Sequence, residues 1–503
     1  MKPKQIFAYL LLLNVLLLGL VMLMPSEKVS LSKHLEFSFV DLKKLLNKQK
    51  QVSKKKEIDE LIDQIENQER NLDESEDTVL YNLGIEHPDS SKNSLNFFHQ
   101  SLRKLSKKES IHFRILHIGD SQLEGDRITS CLREKMQNRF GGMGPGIISP
   151  LEPTANYRSS VLVRQSKNWH KEAIYGHYSK NKNGAYGLGG ASFIYSNYPK
   201  IVGYDTLIQM RDSSQISDSS LLDSMKRENF VVDTTIVPVY HKQTFQSAWL
   251  KASNAKEKYF QRIQLFYSSK DSVQIHLQTA KPQSFWLAPS QEPKKFQFVL
   301  HQASQEIQIQ FEGPSFRLFN LSLDGTKGIA VDNFPMRGSS GLGFESVKNR
   351  WLANQLNGMN VKLLILQFGI NVVPNPQKSY GFYQRMFSAQ LKAIKKAQPQ
   401  LSILVIGPSD MSRKVLGVYE SYPNIPLIRD AMKNAAFENG CAFWDLYENM
   451  GGKNAMKSWV ERTPPLAAKD YTHFNPKGAE YIGELLFNAL LNDYKNYEKI
   501  NKN

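Results

Sequence analysis

The chain changes its hydrophobic rhythm along its length, and the changes divide it. Downstream of Val331, continuous apolar runs alternate with amphipathic ones. "VKLLILQF" (Val361 to Phe368) and "LSILVIG" (Leu401 to Gly407) read as strands buried on both faces. "YQRMFSAQLKAIKKA" and "PLIRDAMKNAAFENG" read as the helices that follow them, the second stopped by Gly440. "CAFWDL" is a last short strand and "KGAEYIGELLFNALLNDY" the closing helix. Apolar strands alternating with helices predict a parallel sheet covered on both faces. "HFRILHIG", far upstream, is a strand of the same kind.

Between about Ala155 and Asp324 the rhythm is different. "YDTLIQM", "NFVVDTTIVPVY", "QRIQLFY", "SVQIHLQ", "KFQFVLH" and "EIQIQFEG" alternate apolar with polar residues at period two, separated by turn-forming residues. That pattern predicts an antiparallel sandwich or jelly roll. One parallel strand precedes it and the rest follow, so it reads as an insertion. The expected division is an α/β domain from residues 111–150 and 326–495, with a β-sandwich inserted at 151–325.

The first residues form a third pattern. Lys2 and Lys4 precede an apolar run from Ile6 to Met24, close to the ~20 residues needed to cross a bilayer. Bulky residues follow, and no small-x-small cleavage site is present. Residues 1–30 therefore read as an uncleaved anchor with the rest of the chain outside the cytoplasm; a cleaved signal peptide is the alternative. Residues 31–110 are rich in Lys, Glu, Gln and Asn, with Ile58, Leu61, Ile62 and Ile65 on one helical face, and read as a charged helical stalk. "SLNFFHQSLRKL" is a further helix leading into the first buried strand.

Composition narrows the class. The chain has 503 residues, enough for two or three units, and 64 Lys+Arg against 48 Asp+Glu give a net charge of +16. Such an excess suits an anionic neighbour: nucleic acid, a lipid surface or an acidic wall polymer. There is no zinc-finger spacing and no aromatic RNA-binding signature, which argues against nucleic acid. Cys131 and Cys441 are the two cysteines, too few for a disulfide framework. No His, Glu and Cys cluster has metal-ligand spacing, so neither metal nor other cofactor is expected.

The candidate chemistry begins at "ILHIGDSQLEGDRIT", where a serine sits between a strand and a helix. Ser121 or Asp120 there is either a helix cap or, for the serine, a nucleophile. Near the far end, "DYTHFNPKG" places Asp470 three residues before His473, on one loop ahead of the last helix. A histidine that takes the serine's proton and a carboxylate that orients the histidine complete a nucleophilic triad. "FGINVV" adds Asn371 and "DNFPMRGSSG" adds Gly338; with the Ser121 N–H they are candidate oxyanion donors. Asp445 is a rival acid, at longer reach. Asp410 reads as a turn residue, and Trp444 and Tyr447 as lining either the cleft or the core.

Taken in order, these blocks resemble the GDSL/SGNH hydrolases, over Phe113 to Gly146 and Ile329 to Tyr494. The resemblance implies Ser121 as nucleophile, His473 as base and Asp470 as acid, with Ser121, Gly338 and Asn371 as the oxyanion hole. It also implies a three-layer α/β/α, flavodoxin-like sheet. Gln122 departs from the usual Leu and Val372 from the usual Asp. "GDSQLEGDRITSCLREKMQNRFGGMGPGII", followed by a β-rich insert, is most similar to the peptidoglycan O-acetylesterases, in some of which a carbohydrate-binding-like domain occupies that place. The implied substrate is an acetylated cell-wall glycan. The implied setting is the bacterial inner membrane, facing the periplasm. Two alternatives stay open: an O-acetyltransferase fed by a membrane partner, and a non-catalytic glycan-binding protein.

Overall fold

The computed structural model describes residues 84–151, 158, 161–166, 169–195, 259–279 and 281–501, together with the backbone of several further strands and isolated positions. Apart from such positions, the anchor expected over residues 1–30 and the helical face of Ile58, Leu61, Ile62 and Ile65 lie outside the described residues. Among the described residues, no helix is long and apolar enough to cross a membrane.

Five parallel strands form the centre: β1 (His112–Gly119), β2 (Gly328–Pro335), β3 (Val361–Gln367), β4 (Ser402–Ile406) and β5 (Ala442–Trp444). Their spatial order is β2-β1-β3-β4-β5, so the chain reverses its winding direction at β1. Side chains of these strands alternate between two cores. Leu116, Ile118, Leu364, Leu366, Ile403 and Val405 face one, while Phe113, Ile115, Leu363, Ile365, Leu404 and Ile406 face the other. That is why these strands read as continuous apolar runs: both faces are buried.

The second core is closed by α1 (Asn96–Ser106), α2 (Arg127–Phe140) and the long final helix α3 (Pro476–Ile500). The first is closed by the helices Asn349–Gly358, Gly381–Ala397 and Ile425–Glu438. α1 corrects the expected domain boundary. Phe98 and Leu102 are buried against the parallel sheet, and Glu86 forms an antiparallel bridge with Phe443 of β5. Residues from about 84 therefore belong to the α/β domain, not to a stalk. Further upstream, Val29–Ser32 pairs with Leu35–Phe37 as a short hairpin, where the stalk reading expected helix.

Among the described residues, the insert is built around two antiparallel sheets, beside a separate pair of strands, Ile201–Asp212 with Phe230–Tyr240. One has five strands, with Val273–Gln278 and Glu306–Glu312 at its centre; the other has six, centred on Phe260–Ser269 and Arg317–Asp324. Their inner faces meet through rings such as Phe311 and Phe316, whose centroids are 4.6 Å apart, and Trp169 and Phe311 at 5.9 Å. Alternation of buried and half-buried residues along Glu306–Glu312 follows from one dry face and one wetter face. Gly146–Ile148, expected in the α/β unit, pairs instead with Arg317–Asp324 and stitches the insert to it.

A buried charge cluster secures that junction. Arg114 of β1 bonds to Asp332 of β2 at 2.8 Å, to Ser322 Oγ at 2.7 Å and to Asp324, and all four side chains are fully buried. Asp332 also accepts from the Ile147 N–H at 2.6 Å. β1, β2 and the inserted sheet thus share one set of charges.

Candidate active site

β1 ends in Gly119, and here the backbone is crowded: a Cβ at this position would sit 2.5 Å from the Gln367 carbonyl oxygen. Asp120 follows, and its carboxylate accepts the Gln122 N–H at 3.1 Å. Asp120 is therefore the cap of the short 3-10 turn Ser121–Asp126. This leaves the Ser121 hydroxyl free of capping duty. Its Oγ lies 2.8 Å from His473 Nε2.

His473 is placed by its own loop. Asn475 caps α3 by accepting from Gly478 N–H at 3.0 Å, and Pro476 opens the helix, so the chain turns sharply just after the histidine. Asp470 lies at the start of the turn. Its Oδ2 meets His473 Nδ1 at 2.7 Å, while Oδ1 accepts the N–H groups of Thr472 at 2.9 Å and His473 at 3.0 Å. Partial burial raises the affinity of this carboxyl for its proton, but those donors and the nearby imidazole outweigh it. Asp470 consequently sits below the ordinary carboxylate range. It stays an anion beside the ring.

The two flanking strand ends bring the remaining blocks to the same edge. Pro335 of β2 and Gln367 of β3 both pair with Gly119 in register. The loop after β2 begins with Met336 N–H donating to the Gly119 carbonyl at 2.7 Å, and leads to Gly338, which is exposed with φ +75°. After β3, Gly369 has φ +112°, and a Cβ there would press on Met432 and Pro408. The turn presents Asn371, whose Nδ2 donates to the Ser339 carbonyl at 2.9 Å and so ties the two loops together. A side-chain amide carries two N–H donors, and this contact uses one.

Asp120 connects these parts beneath the surface. It is fully buried and accepts from the backbone N–H groups of Gln122 and Ile370, which lie next to Ser121 and Asn371. Burial dominates those two donors and raises its carboxyl from 3.8 to about 7.

Gln122 is a further element that the sequence reading treated as a mere departure. It is 2% exposed. Its Nε2 donates to Ser409 Oγ at 3.1 Å and to the Thr472 carbonyl at 2.8 Å, and its Oε1 accepts from Phe474 N–H at 3.4 Å. Residues 472 and 474 flank His473, so this amide holds the histidine loop against the serine turn. A leucine there makes none of these bonds. The signal was a polar residue beside a buried strand end.

Other candidates fall away from the site. Asp445 caps a short helix through the Glu448 N–H at 3.0 Å and faces Arg429, which corrects its standing as rival acid. Asp410 is buried and accepts the Met456 N–H at 2.8 Å. Trp444 and Tyr447 belong to the two cores. Cys131 and Cys441 are buried free thiols. Among the described residues, no group of His, Cys, Asp and Glu is arranged to hold a metal ion.

A solved structure of a peptidoglycan O-acetylesterase aligns with 82% of this chain and 99% of its own, with a TM-score of 0.60 at 19% identity. The chain has that fold. An acetyl xylan esterase (15% identity, 32% of this chain and 81% of its own, TM-score 0.26) is a more distant likeness. So is a family two carbohydrate esterase from Clostridium thermocellum (7% identity, 51% of this chain and 94% of its own, TM-score 0.23). No protein-family model and no curated protein matches the chain.

Proposed function

We propose that the chain is a serine esterase that removes O-acetyl groups from a cell-envelope glycan, most naturally peptidoglycan. The observation that carries the reading is the hydrogen-bonded series Ser121, His473, Asp470 at the carboxyl edge of the parallel sheet. The fold shared with a peptidoglycan O-acetylesterase supports it.

In this mechanism Ser121 Oγ attacks the acetyl carbonyl while His473 Nε2 takes its proton. Asp470 holds Nδ1–H and stabilises the imidazolium that forms. The oxyanion of the tetrahedral intermediate is met by the Ser121 and Gly338 N–H groups and by the Asn371 amide. His473 returns the proton to the departing sugar oxygen, leaving an acetyl-serine. Water, deprotonated by the same histidine, then releases acetate. The setting we infer is the bacterial periplasm, with residues 1–30 as the membrane tether.

The test is acetate release from O-acetylated wall glycan by the full chain, with deacetylated glycan added as a competing acceptor. The reading expects free acetate and loss of polymer-bound ester. Acetyl transferred to the added glycan in place of free acetate would make the protein a transferase. Neither product would leave a binding function.

A further inference from the structure

Asp470 and His473 face each other because the chain between them doubles back, and Tyr471 is where it does so. Tyr471 has φ +56°, in the left-handed region that a bulky side chain rarely enters. Its backbone is pinned on both sides: its N–H donates to the Ala468 carbonyl at 3.0 Å, and its carbonyl accepts the Ser412 N–H at 3.0 Å. The Ala468 N–H in turn donates to the His473 carbonyl at 2.8 Å. With tyrosine in place of glycine or asparagine, the conformation is costly and must be held by contacts.

One of those contacts comes from an arm outside the triad. After β4, Ser412–Val415 and Val418–Ser421 pair as an antiparallel hairpin, in which Lys414 lies opposite Tyr419. The Tyr419 ring lies flat on the Tyr471 ring, with centroids 3.5 Å apart and planes within 8°. Tyr471 also packs at the edge of the second core. The base of the arm is braced: Ser421 Oγ accepts the Asn454 N–H at 2.6 Å, the Ser421 N–H donates to Asn454 Oδ1 at 3.1 Å, and the Tyr422 N–H donates to the Met411 carbonyl at 3.0 Å. Leu416 and Val418 at its tip are exposed, so the arm buries little for its length.

We propose that Tyr419 is a positioning residue for the triad: its ring holds Tyr471 in the left-handed conformation and so keeps the Asp470 carboxylate on His473 Nδ1. The inference rests on the esterase reading and adds to it a residue that acts through the turn, not on the substrate. A ring stack and the cost of a bulky residue in the left-handed region are of similar size, so without the stack the closed turn is only part-populated.

The test measures kcat and KM of the full chain on 4-nitrophenyl acetate, well below the melting temperature, beside amide hydrogen exchange of the peptide spanning residues 468–475. Tyr419→Ala should lower kcat about three- to tenfold, the scale of one aromatic stack, with KM nearly unchanged. Exchange at Thr472 and His473, whose N–H groups rest on Asp470, should speed by a similar factor. Tyr419→Phe keeps the ring and should restore both. Tyr471→Asn suits the left-handed region without a ring, so adding Tyr419→Ala to it should change kcat by less than about twofold. Tyr471→Leu, which suits neither, should be slower than Tyr471→Asn. Wild-type kcat in Tyr419→Ala, even with a lower melting temperature, would make the hairpin a structural arm alone and overturn the proposal. An undiminished effect of Tyr419→Ala in the Tyr471→Asn background would overturn it too. If the wild type cleaves no ester, the esterase reading falls by itself; the exchange rates then decide whether Tyr419 holds the turn, and unchanged exchange in Tyr419→Ala would show that it does not.

Discussion

Replacing Gln122 by leucine removes a buried amide without changing its bulk much, and its neighbours set the cost. Three bonds are lost: to Ser409 Oγ, to the Thr472 carbonyl and from the Phe474 N–H. Phe474 is buried and its N–H keeps no replacement in leucine, whereas Thr472 is half-buried and its carbonyl regains some water. With ~1–3 kcal/mol for each buried group left unpaired, the expected loss of stability is ~2–4 kcal/mol. The effect on catalysis is separable from this. Asp470 still holds His473, and Arg127 still links the Glu124 carbonyl of the serine turn to the Phe474 carbonyl, but the loop loses its fastening at the Thr472 carbonyl and the Phe474 N–H. A displacement near 1 Å at reacting groups costs on the order of 10²-fold. The expected outcome is therefore a kcat reduced ~10–100-fold on an aryl acetate, with KM nearly unchanged and the shape of the pH profile retained. Rates measured well below the melting temperature, beside thermal denaturation curves, separate the two effects. A variant that melts earlier but keeps wild-type kcat would show that Gln122 only supports the fold. Wild-type values of both would refute the clamp.

Other variants test the supporting parts. Asp120 has a folded pKa of about 7 against 3.8, so its contribution to stability is fully present below 3.8 and is lost as pH rises through about 7. Asp120→Asn should flatten the decline between about pH 4 and 7, worth at most ~4 kcal/mol over that whole window, in urea titrations at each pH; an unchanged slope would contradict this. Arg114→Leu leaves Asp332 buried without its cation and Asp324 with the more distant Arg262 at 3.6 Å, and should cost ~3–5 kcal/mol in urea unfolding; a loss below ~1 kcal/mol would mean the cluster is self-sufficient. Asp470→Asn should keep the melting temperature and lower kcat ~10²–10⁴-fold, since the amide no longer enforces the tautomer; near-normal kcat would shift the acid's role elsewhere.

Much of this arrangement was legible in the residues, for physical reasons. Strands buried on both faces must be continuously apolar, so β3 and β4 announced a parallel sheet, and period two announced the insert's antiparallel strands. Ser121, His473 and Asp470 were findable because two of them share one loop and the third ends a strand. The boundaries were harder. "SLNFFHQSLRKL" announces a helix, but what its buried Leu95, Phe98 and Leu102 pack against lies elsewhere in the chain. Gly146–Ile148 is three residues long, and only its pairing with Arg317–Asp324 shows where it belongs. The roles of Gln122, Asp120 and Arg114 depend on partners as many as 352 positions away. No local pattern encodes such contacts, although a polar or charged residue inside an apolar run marks where to look.

The central claim is that Ser121 carries the acetyl group during turnover. Acid-quenching the protein during hydrolysis of an acetyl ester and locating the added acetyl by peptide mass spectrometry tests it directly. The account predicts one acetyl group on the peptide containing Ser121, and neither adduct nor turnover in a folded Ser121→Ala variant. Turnover at the wild-type rate in that variant, or acetyl found on another residue as the kinetically competent intermediate, would contradict it.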